Sequence, residues 1–233
     1  MKAIILCGGF GTRLRPITYE MPKSMAPINK KPILHHLIEK LKKAGIEDII
    51  LSVGYLGYMI ENYFGDGSGF GVNIKYVKED EPMGTGGAVK LAKKYLNETF
   101  VYVNGDIYTD LDFSDIIKTH IKEGAKATMA LYEVEDPSRF GIAVMDGGRI
   151  VTFIQKPKKE EAVSRLINAG VIVMSPDVLD LIKDKGDIDM MVYPELCRKK
   201  QMFGHIFSGC WYDLGTWESY TEALELVHCR DKK

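Results

Sequence analysis

Apolar residues along the chain alternate between short β-branched runs and stretches with helical spacing. Four apolar runs have the length of buried strands, at residues 2–7, 49–53, 73–77 and 100–103. Helical spacing is seen at Leu34, Leu37, Ile38 and Leu41, over residues 58–64, and at Ala88, Leu91, Ala92 and Tyr95. Strands that alternate with helices of this length predict crossover connections and a largely parallel sheet.

The second half of the chain has a different order of elements. Strand-like runs follow one another at residues 127–132, 141–145, 149–154, 171–174 and 210–213, and residues 216–228 have the pattern of a closing amphipathic helix. The turn Asp146-Gly147-Gly148 joins two of these runs into a hairpin, which predicts an antiparallel portion added to the parallel sheet. Because no linker or repeat divides the chain, we expect one continuous α/β domain.

Composition and charge exclude several classes of function. The chain carries 31 basic and 32 acidic side chains, and a formal net charge of -1 argues against a nucleic-acid or anionic-membrane partner. The four cysteines are Cys7, Cys197, Cys210 and Cys229. Their spacing fits neither a zinc module nor a disulfide framework. The apolar N-terminal run is too short for a signal peptide, and no other stretch approaches the ~20 residues of a membrane span. We therefore expect a cytoplasmic protein with free thiols.

A cationic, glycine-rich segment follows the first strand. It contains Gly8, Gly9 and Gly11, followed by Arg13, Arg15 and Lys23. Consecutive amides in a glycine turn can form an anion-binding nest, and the basic side chains suit phosphate oxygens. The dinucleotide-binding pattern G-x-G-x-x-G is incomplete, because Leu14 stands where the third glycine belongs. The pattern favours polyphosphate binding over an ordinary turn with solvated charges.

Two aspartates each follow or end an apolar strand. Asp106 comes directly after the run at residues 100–103, in the motif Asn104-Gly105-Asp106, and Asp213 ends the run at residues 210–213. Ligands of open α/β sheets lie beyond the carboxyl ends of the strands, and Mg²⁺ usually takes one or two carboxylates there. If both strands lie near the centre of the sheet, the two carboxylates can share one ion. An Asn-Gly-Asp sequence is also a common turn.

A second glycine segment, residues 81–88, opens the third predicted helix. Backbone amides at a helix N-terminus can read a base edge or hold an anion. A tight turn between a strand and a helix explains the same residues without a ligand.

The motifs together resemble one enzyme family. The run G-G-x-G-T-R-L-x-P-x-T at residues 8–18, with Pro22-Lys23 after it, is similar to the signature of sugar-1-phosphate nucleotidyltransferases, also called NDP-sugar pyrophosphorylases. Further matching segments follow in order at residues 81–88, 104–106, 140–141, 156–157, 168–170 and 211–216. The resemblance therefore spans nearly the whole chain.

The resemblance implies a Rossmann-like, nucleotide-binding three-layer sandwich, with a mainly parallel mixed sheet and an added antiparallel sugar-binding portion. It implies Mg²⁺ as cofactor, bound by Asp106 and Asp213, and Arg13, Lys23 and Asp106 as catalytic residues. The nucleotide-binding residues that it implies are Leu6, Gly8, Gly9, Gly11, Thr12, Arg13, Lys23, Gly84, Thr85 and Gly86. The sugar-phosphate side would consist of Asn104, Gly141, Gln155, Lys156 and Asn168.

The chain departs from the family pattern in two places. Gln155 stands where the family usually has a glutamate that binds sugar hydroxyls. Glutamine in place of glutamate keeps the capacity for hydrogen bonds but removes the negative charge. Many members also carry a C-terminal β-helix or extra helices, whereas this sequence stops soon after Asp213. We therefore expect residues 1–233 to form a single catalytic domain without a C-terminal β-helix, as a monomer or small homo-oligomer.

The expected substrates are a nucleoside triphosphate and a sugar-1-phosphate. The glycine run with Phe10 resembles mannose-1-phosphate guanylyltransferases most, so GTP and mannose-1-phosphate are the first expectation. Heptose-1-phosphate guanylyltransferases and short glucose-1-phosphate uridylyl- or thymidylyltransferases are alternatives. A non-catalytic regulatory paralogue that binds NDP-sugar is an alternative of another class, but such a protein is expected to lose the lysine or an aspartate.

Overall fold

One nine-stranded mixed sheet, with helices packed on both faces, organises the computed structural model, which describes residues 1–230. The strands are β1 (Lys2–Leu6), β2 (Pro27–Ile28), β3 (Lys31–Pro32), β4 (Asp48–Val53), β5 (Asn73–Lys78), β6 (Phe100–Asn104), β7 (Ile107–Thr109), β8 (Ala127–Glu133), β9 (Gly141–Asp146), β10 (Arg149–Gln155), β11 (Leu166–Met174), β12 (Met202–Ile206) and β13 (Trp211–Asp213). The helices are α1 (Ile17–Glu20), α2 (Ile33–Lys43), α3 (Gly57–Phe64), α4 (Gly84–Leu91), α5 (Phe113–Glu123), α6 (Ile188–Met191), α7 (Tyr193–Arg198) and α8 (Trp217–Arg230).

The large sheet has a parallel half and a mostly antiparallel half. Its strand order is β5-β4-β1-β6-β11-β8-β12-β10-β9. The first four strands of this order pair in parallel, as the alternating pattern predicts. Strand β11 then runs antiparallel to both β6 and β8, and β9 and β10 form the predicted hairpin. The antiparallel half is larger than the sequence pattern indicates.

Apolar packing on both faces of the sheet explains why the central strands are continuously hydrophobic. In β1 the side chains of Ala3, Ile4 and Ile5 are all fully buried, although neighbouring residues point to opposite faces. One core lies between the sheet and helices α2, α3 and α5, and the other between the sheet and helices α4 and α7. The three-layer α/β arrangement is therefore confirmed.

The predicted helical patterns are confirmed in part. The stripe of α2 is buried as the spacing indicates, and α3 covers the predicted residues 58–64. In α4 the predicted stripe is buried at Ala88 and Ala92 but is wrong at Leu91, which is 37% exposed, because Val89 faces the core instead. The sequence pattern did not reveal helix α5, whose Asp112 side chain accepts a hydrogen bond of 2.8 Å from the amide of Ser114 and caps the N-terminus.

Strand β13 lies outside the large sheet. It pairs with β7 in a separate two-stranded antiparallel sheet, so the condition that both aspartate strands lie near the centre of the main sheet is not met. Strand β12, which was not predicted, pairs with β8 in parallel. None of the helices in residues 1–230 combines the length and the apolar character needed to cross a membrane.

Candidate active site

The glycine segment and the Asn104-Gly105-Asp106 motif leave the sheet side by side. Leu6, the last residue of β1, pairs with Asn104 at the end of β6. The Gly105 amide donates a hydrogen bond of 2.9 Å to the Leu6 carbonyl. A methyl group on Gly105 would lie 2.8 Å from Cys7 Sγ, so only glycine fits where the two segments touch. Both motifs therefore face the crevice beyond the carboxyl ends of parallel strands.

The glycine segment is an open turn with free backbone donors. Gly11 has a left-handed φ of 61°, and a Cβ there would lie 2.8 Å from Thr18 Cγ2. The Thr18 hydroxyl donates a hydrogen bond of 2.9 Å to the Gly11 carbonyl and fixes this end of the turn. Within residues 1–230, the amides of Gly9, Phe10 and Gly11 donate to no protein acceptor. Such unpaired amides can bind an anion.

Lys23 lies between the two aspartates. Its side chain is only 13% exposed, and its ammonium donates directly to the Oδ2 atom of Asp106. The same Nζ lies 3.7 Å from Oδ1 of Asp213. Three residues that are remote in the sequence, and that the sequence analysis selected, therefore form one charged cluster.

The small β7–β13 sheet brings Asp213 to this cluster. Asp213 pairs in register with Ile107, the residue after Asp106, and the amide of Leu214 donates a hydrogen bond of 2.9 Å to the Asp106 carbonyl. The two carboxylates thus meet through a small side sheet, and not through two central strands of the main sheet.

Asp213 lies near a second carboxylate and several cations. Burial and the charge of Asp106 raise the pKa of Asp213, while Lys23, Arg13 and Arg139 oppose that rise. A methyl group on nearby Gly215 would meet Asp213 Oδ1 at 2.8 Å and Arg13 Nη2 at 3.0 Å. Arg139 was not identified from the sequence, because it lies in a loop without a motif of its own.

A cavity of about 320 Å³ opens beside the cluster. It is lined by Leu6, Gly8, Gly9, Phe10, Glu79, Pro82, Gly84, Thr85, Ala88, Asn104, Asp106 and Asp187. Many of the residues predicted to bind nucleotide therefore share one pocket. The two additional carboxylates, Glu79 and Asp187, were missed. Glu79 directly follows strand β5, so the rule that identified Asp106 could also have identified it.

The segment at residues 84–86 is fixed by the loop that precedes α6. The amide of Thr85 donates a hydrogen bond of 3.1 Å to Asp187 Oδ1, and the Thr85 hydroxyl accepts one of 3.0 Å from the Ile188 amide. Gly86 is buried, and its amide donates to the Gly186 carbonyl at 2.9 Å. Unlike Gly84 and Thr85, Gly86 is not among the residues that line the cavity and has a packing contact instead.

Four of the five predicted sugar-phosphate residues lie in or next to the antiparallel half of the sheet, and Asn104 ends β6 in the parallel half. Asn168 Oδ1 accepts a hydrogen bond of 2.9 Å from the Gly170 amide, and a Cβ on Gly170 would lie 2.9 Å from Asn104 Nδ2. Gly141 pairs in register with Gln155. Asn104 and Asn168 therefore lie at the junction between the parallel and antiparallel halves, and the Gly141–Gln155 pair lies within the antiparallel half.

Lys156 has an unusual backbone conformation at the end of β10. Its φ is 46°, which is uncommon for a residue with a side chain, and its amide donates a hydrogen bond of 3.0 Å to Phe140. The side chain is exposed.

Comparison with known proteins agrees with this arrangement. Residues 2–229 match the family described as nucleotidyl transferase. Mannose-1-phosphate guanyltransferase beta-B of Xenopus laevis is 37% identical over 222 residues, which are 92% of this chain and 61% of that protein. The chain thus spans less than two thirds of the length of this relative.

Solved structures show the same fold. A Bacillus anthracis protein assigned as a glucose-1-phosphate thymidylyltransferase, solved with sucrose, superposes with a TM-score of 0.89 and 28% identity, covering 97% of this chain and 95% of that one. HddC of Yersinia pseudotuberculosis, complexed with GMP-PN, gives a TM-score of 0.81 and 29% identity, covering 97% and 98%. The resemblance noted in the sequence is confirmed: the chain belongs to the nucleotidyl transferase family of enzymes.

Proposed function

We propose that this chain transfers a nucleotidyl group from a nucleoside triphosphate to a sugar-1-phosphate, forming NDP-sugar and pyrophosphate. The observation that carries the proposal is the cluster of Lys23, Asp106 and Asp213 beside a glycine turn with free amides. Family membership and the names of the relatives support the same reaction. We further propose that residues 1–233 form one catalytic domain.

The triphosphate is assigned to the glycine turn. The amides of this turn, contributed by Gly8, Gly9, Gly11 and Thr12, suit phosphate oxygens, and Arg13 can bind them with its planar guanidinium. Lys23 is a buried point charge at the reacting phosphates. Leu6, Gly84 and Thr85 line the cavity in which the base and ribose would lie.

The residues of the cluster fit a magnesium ion. Asp106 and Asp213 supply two carboxylates, and Mg²⁺ usually takes one or two carboxylates together with substrate phosphates and water. Burial of Asp213 beside Asp106 leaves negative charge for which a divalent cation compensates. When bound, the ion supplies charge neutralisation on the α-phosphate.

The chemistry requires positioning more than proton transfer. An anionic oxygen of the sugar-1-phosphate attacks the α-phosphorus, and the bond from that phosphorus to the bridging oxygen of the β-phosphate breaks. Pyrophosphate leaves with the electron pair of that bond. No general base is needed because the nucleophile is already ionised. Lys23 and Arg13 reduce the repulsion between the two anionic substrates and stabilise charge in the transition state.

The carboxylates that line the cavity favour guanine as the base. Glu79 and Asp187 are acceptors, and guanine offers two adjacent donors, N1–H and the exocyclic amine, on its pairing edge. Adenine and the pyrimidines do not present that pair of donors. The guanyltransferase name of the Xenopus laevis relative agrees with GTP.

The sugar is assigned to the antiparallel half of the sheet. Asn104, Gly141, Gln155 and Asn168 would contact the sugar ring, and the exposed Lys156 its phosphate. Mannose-1-phosphate is the first choice, by similarity to that relative. Glucose-1-phosphate and heptose-1-phosphate are the alternatives, because the sequence also resembles transferases that act on those two substrates.

A substrate panel tests the proposal. Each common nucleoside triphosphate is combined with mannose-, glucose- and heptose-1-phosphate in the presence of Mg²⁺, and pyrophosphate release is followed. We expect release with at least one pair and the highest kcat/KM with GTP. No release from any pair would contradict the proposed reaction and favour a non-catalytic regulator.

A further inference from the structure

Two acidic residues at the start of α6 face different parts of the site. Asp187 accepts a hydrogen bond from the Thr85 amide and lines the nucleotide cavity. Asp189, two residues later, accepts a hydrogen bond of 2.7 Å from the side-chain amide of Gln155 at the end of β10. The short α6 segment therefore reaches both the cavity and the antiparallel half of the sheet.

The Asp189–Gln155 pair has unused capacity to accept hydrogen bonds. The Oε1 atom of Gln155 is buried and has no partner within residues 1–230. An ionised carboxylate has about four acceptor sites, and one of those of Asp189 is used by Gln155. Buried acceptors without a donor cost free energy, so such a pair is typical of a site that a ligand completes.

The electrostatics of the pair select the kind of ligand. Burial and the neighbouring Asp187 raise the pKa of Asp189 to about 6, and the Gln155 hydrogen bond and the charge of Lys156 counteract them. The side chain is thus mainly ionised at neutral pH, in a setting that already contains a second carboxylate. A phosphate group would be repelled there. An uncharged ligand with several hydroxyl donors complements a carboxylate and an amide oxygen.

The in-line geometry of the displacement indicates which substrate the Asp189–Gln155 pair binds. The attacking and leaving oxygens lie roughly in line at the transferred phosphorus. The glycine turn to which the triphosphate is assigned follows β1, so pyrophosphate leaves on that side of Asp106 and the nucleophile approaches from the opposite side, that of β11. Strands β11 and β10 form that side, where Gly170 packs against Asn104 and the Asp189–Gln155 pair lies beyond them.

We propose that Asp189, oriented by Gln155, binds hydroxyl groups of the sugar ring and determines which sugar-1-phosphate is accepted. The inference rests on the proposed function. It assigns the neutral part of the sugar substrate to a carboxylate from α6, a residue that lies in none of the sequence motifs.

Asp189→Asn is the direct test. The variant keeps the shape of the side chain and removes a half-buried charge, so its melting temperature is expected not to fall. We expect the KM for sugar-1-phosphate to rise about 10- to 100-fold while the KM for the nucleoside triphosphate is unchanged. Asp180→Asn is the matched control, because Asp180 is 72% exposed and pairs with Lys93 on the surface; its constants should equal those of the wild type.

Deoxy analogues of the accepted sugar-1-phosphate separate direct contact from a structural effect. Removing the hydroxyl that Asp189 binds should weaken wild-type binding about as much as Asp189→Asn does. The same analogue should then cost the variant nothing further. Losses that add for every deoxy position would overturn the proposal. Gln155→Ala, which removes the orienting donor, should raise the same KM by a smaller factor.

The two proposals fail in different ways. Wild-type activity combined with an Asp189→Asn variant that keeps its sugar KM overturns the role of Asp189 and leaves the proposed reaction intact. A wild-type protein that releases no pyrophosphate from any substrate pair overturns the proposed reaction and the role of Asp189 together.

Discussion

The backbone amide of Leu214 donates a hydrogen bond of 2.9 Å to the carbonyl of Asp106. This contact, with the β7–β13 pairing around it, keeps the segment of Asp213 against the segment of Asp106 although 107 positions separate them in the sequence. The side sheet therefore determines the spacing of the carboxylates, and Lys23 fills the space between them.

Replacing Asp106 by asparagine should reduce turnover strongly. The variant keeps the size of the side chain but loses the charge that contacts Lys23, so we expect kcat to fall by about 100-fold or more with little change in melting temperature. Pyrophosphate release and circular dichroism measure the two effects. Asp115→Asn, on the exposed surface of α5, is the matched control. Near-normal release from Asp106→Asn would contradict the assignment of the site.

Replacing Lys23 by methionine should make stability depend on magnesium. The change leaves the Asp106 and Asp213 carboxylates without their shared cation, at a cost of about 1–3 kcal/mol that partial exposure keeps moderate. A divalent ion that binds the folded state compensates by linkage. We expect millimolar MgCl₂ to raise the melting temperature of the variant more than that of the wild type.

The control for that experiment is Lys31→Met, which removes a surface ion pair with Glu39. Its melting temperature should respond to MgCl₂ as the wild type does. An identical response of the Lys23 variant would argue that the two aspartates do not bind the ion.

Replacing Glu79 by glutamine should weaken the preference for guanine. The amide keeps one acceptor oxygen but can no longer accept both guanine donors, so the ratio of kcat/KM for GTP to that for UTP should fall about 10-fold or more. Steady-state kinetics with the two nucleotides give this ratio directly. If both values fall in proportion, Glu79 supports the fold of the pocket and does not read the base.

Replacing Gly9 by alanine tests nucleotide binding at the glycine turn without a change in the stability of the fold. Within the described part of the chain, no atom beyond the two adjacent residues lies within 4 Å of a Cβ at this position, so stability should change by less than about 0.5 kcal/mol. The added methyl group would stand in the cavity where the triphosphate approaches the amides, and we expect the KM for nucleotide to rise about 10-fold. Gly69→Ala, equally open but in a distant turn, should change neither quantity. An unchanged nucleotide KM in Gly9→Ala would exclude this turn as the phosphate site.

Local patterns predicted the elements of the parallel half better than the rest. The apolar run of β1 and the stripe of α2 are determined by neighbouring residues and by burial on one or both faces. Helix α5 also carried local signals, because Asp112 caps its N-terminus and Gly124 ends it in a left-handed conformation. These two residues were sufficient to predict helix α5, which the periodicity of apolar residues alone did not reveal.

Long-range pairing explains what the sequence could not reveal. Nothing within β12 or β13 indicates that the former enters the large sheet and the latter does not, since each strand depends on partners more than 50 positions away. The same holds for Asp189, which meets Gln155 only after α6 folds against β10. Asp106 and Lys23 were accessible because each belongs to a motif with its own chemical pattern.

The antiparallel contact between β6 and β11 divides the sheet into two halves, each with its own side of the crevice. Gly8, Gly9 and Glu79 follow strands of the parallel half, whereas Gln155 and Asn168 belong to the other. On the proposed assignment of the substrates, substitutions in β9, β10 and α6 would change which sugar is bound while the N-terminal strands, and with them the phosphate site, stay unaltered. One architecture of this kind would then serve enzymes for different sugars with the same phosphate chemistry.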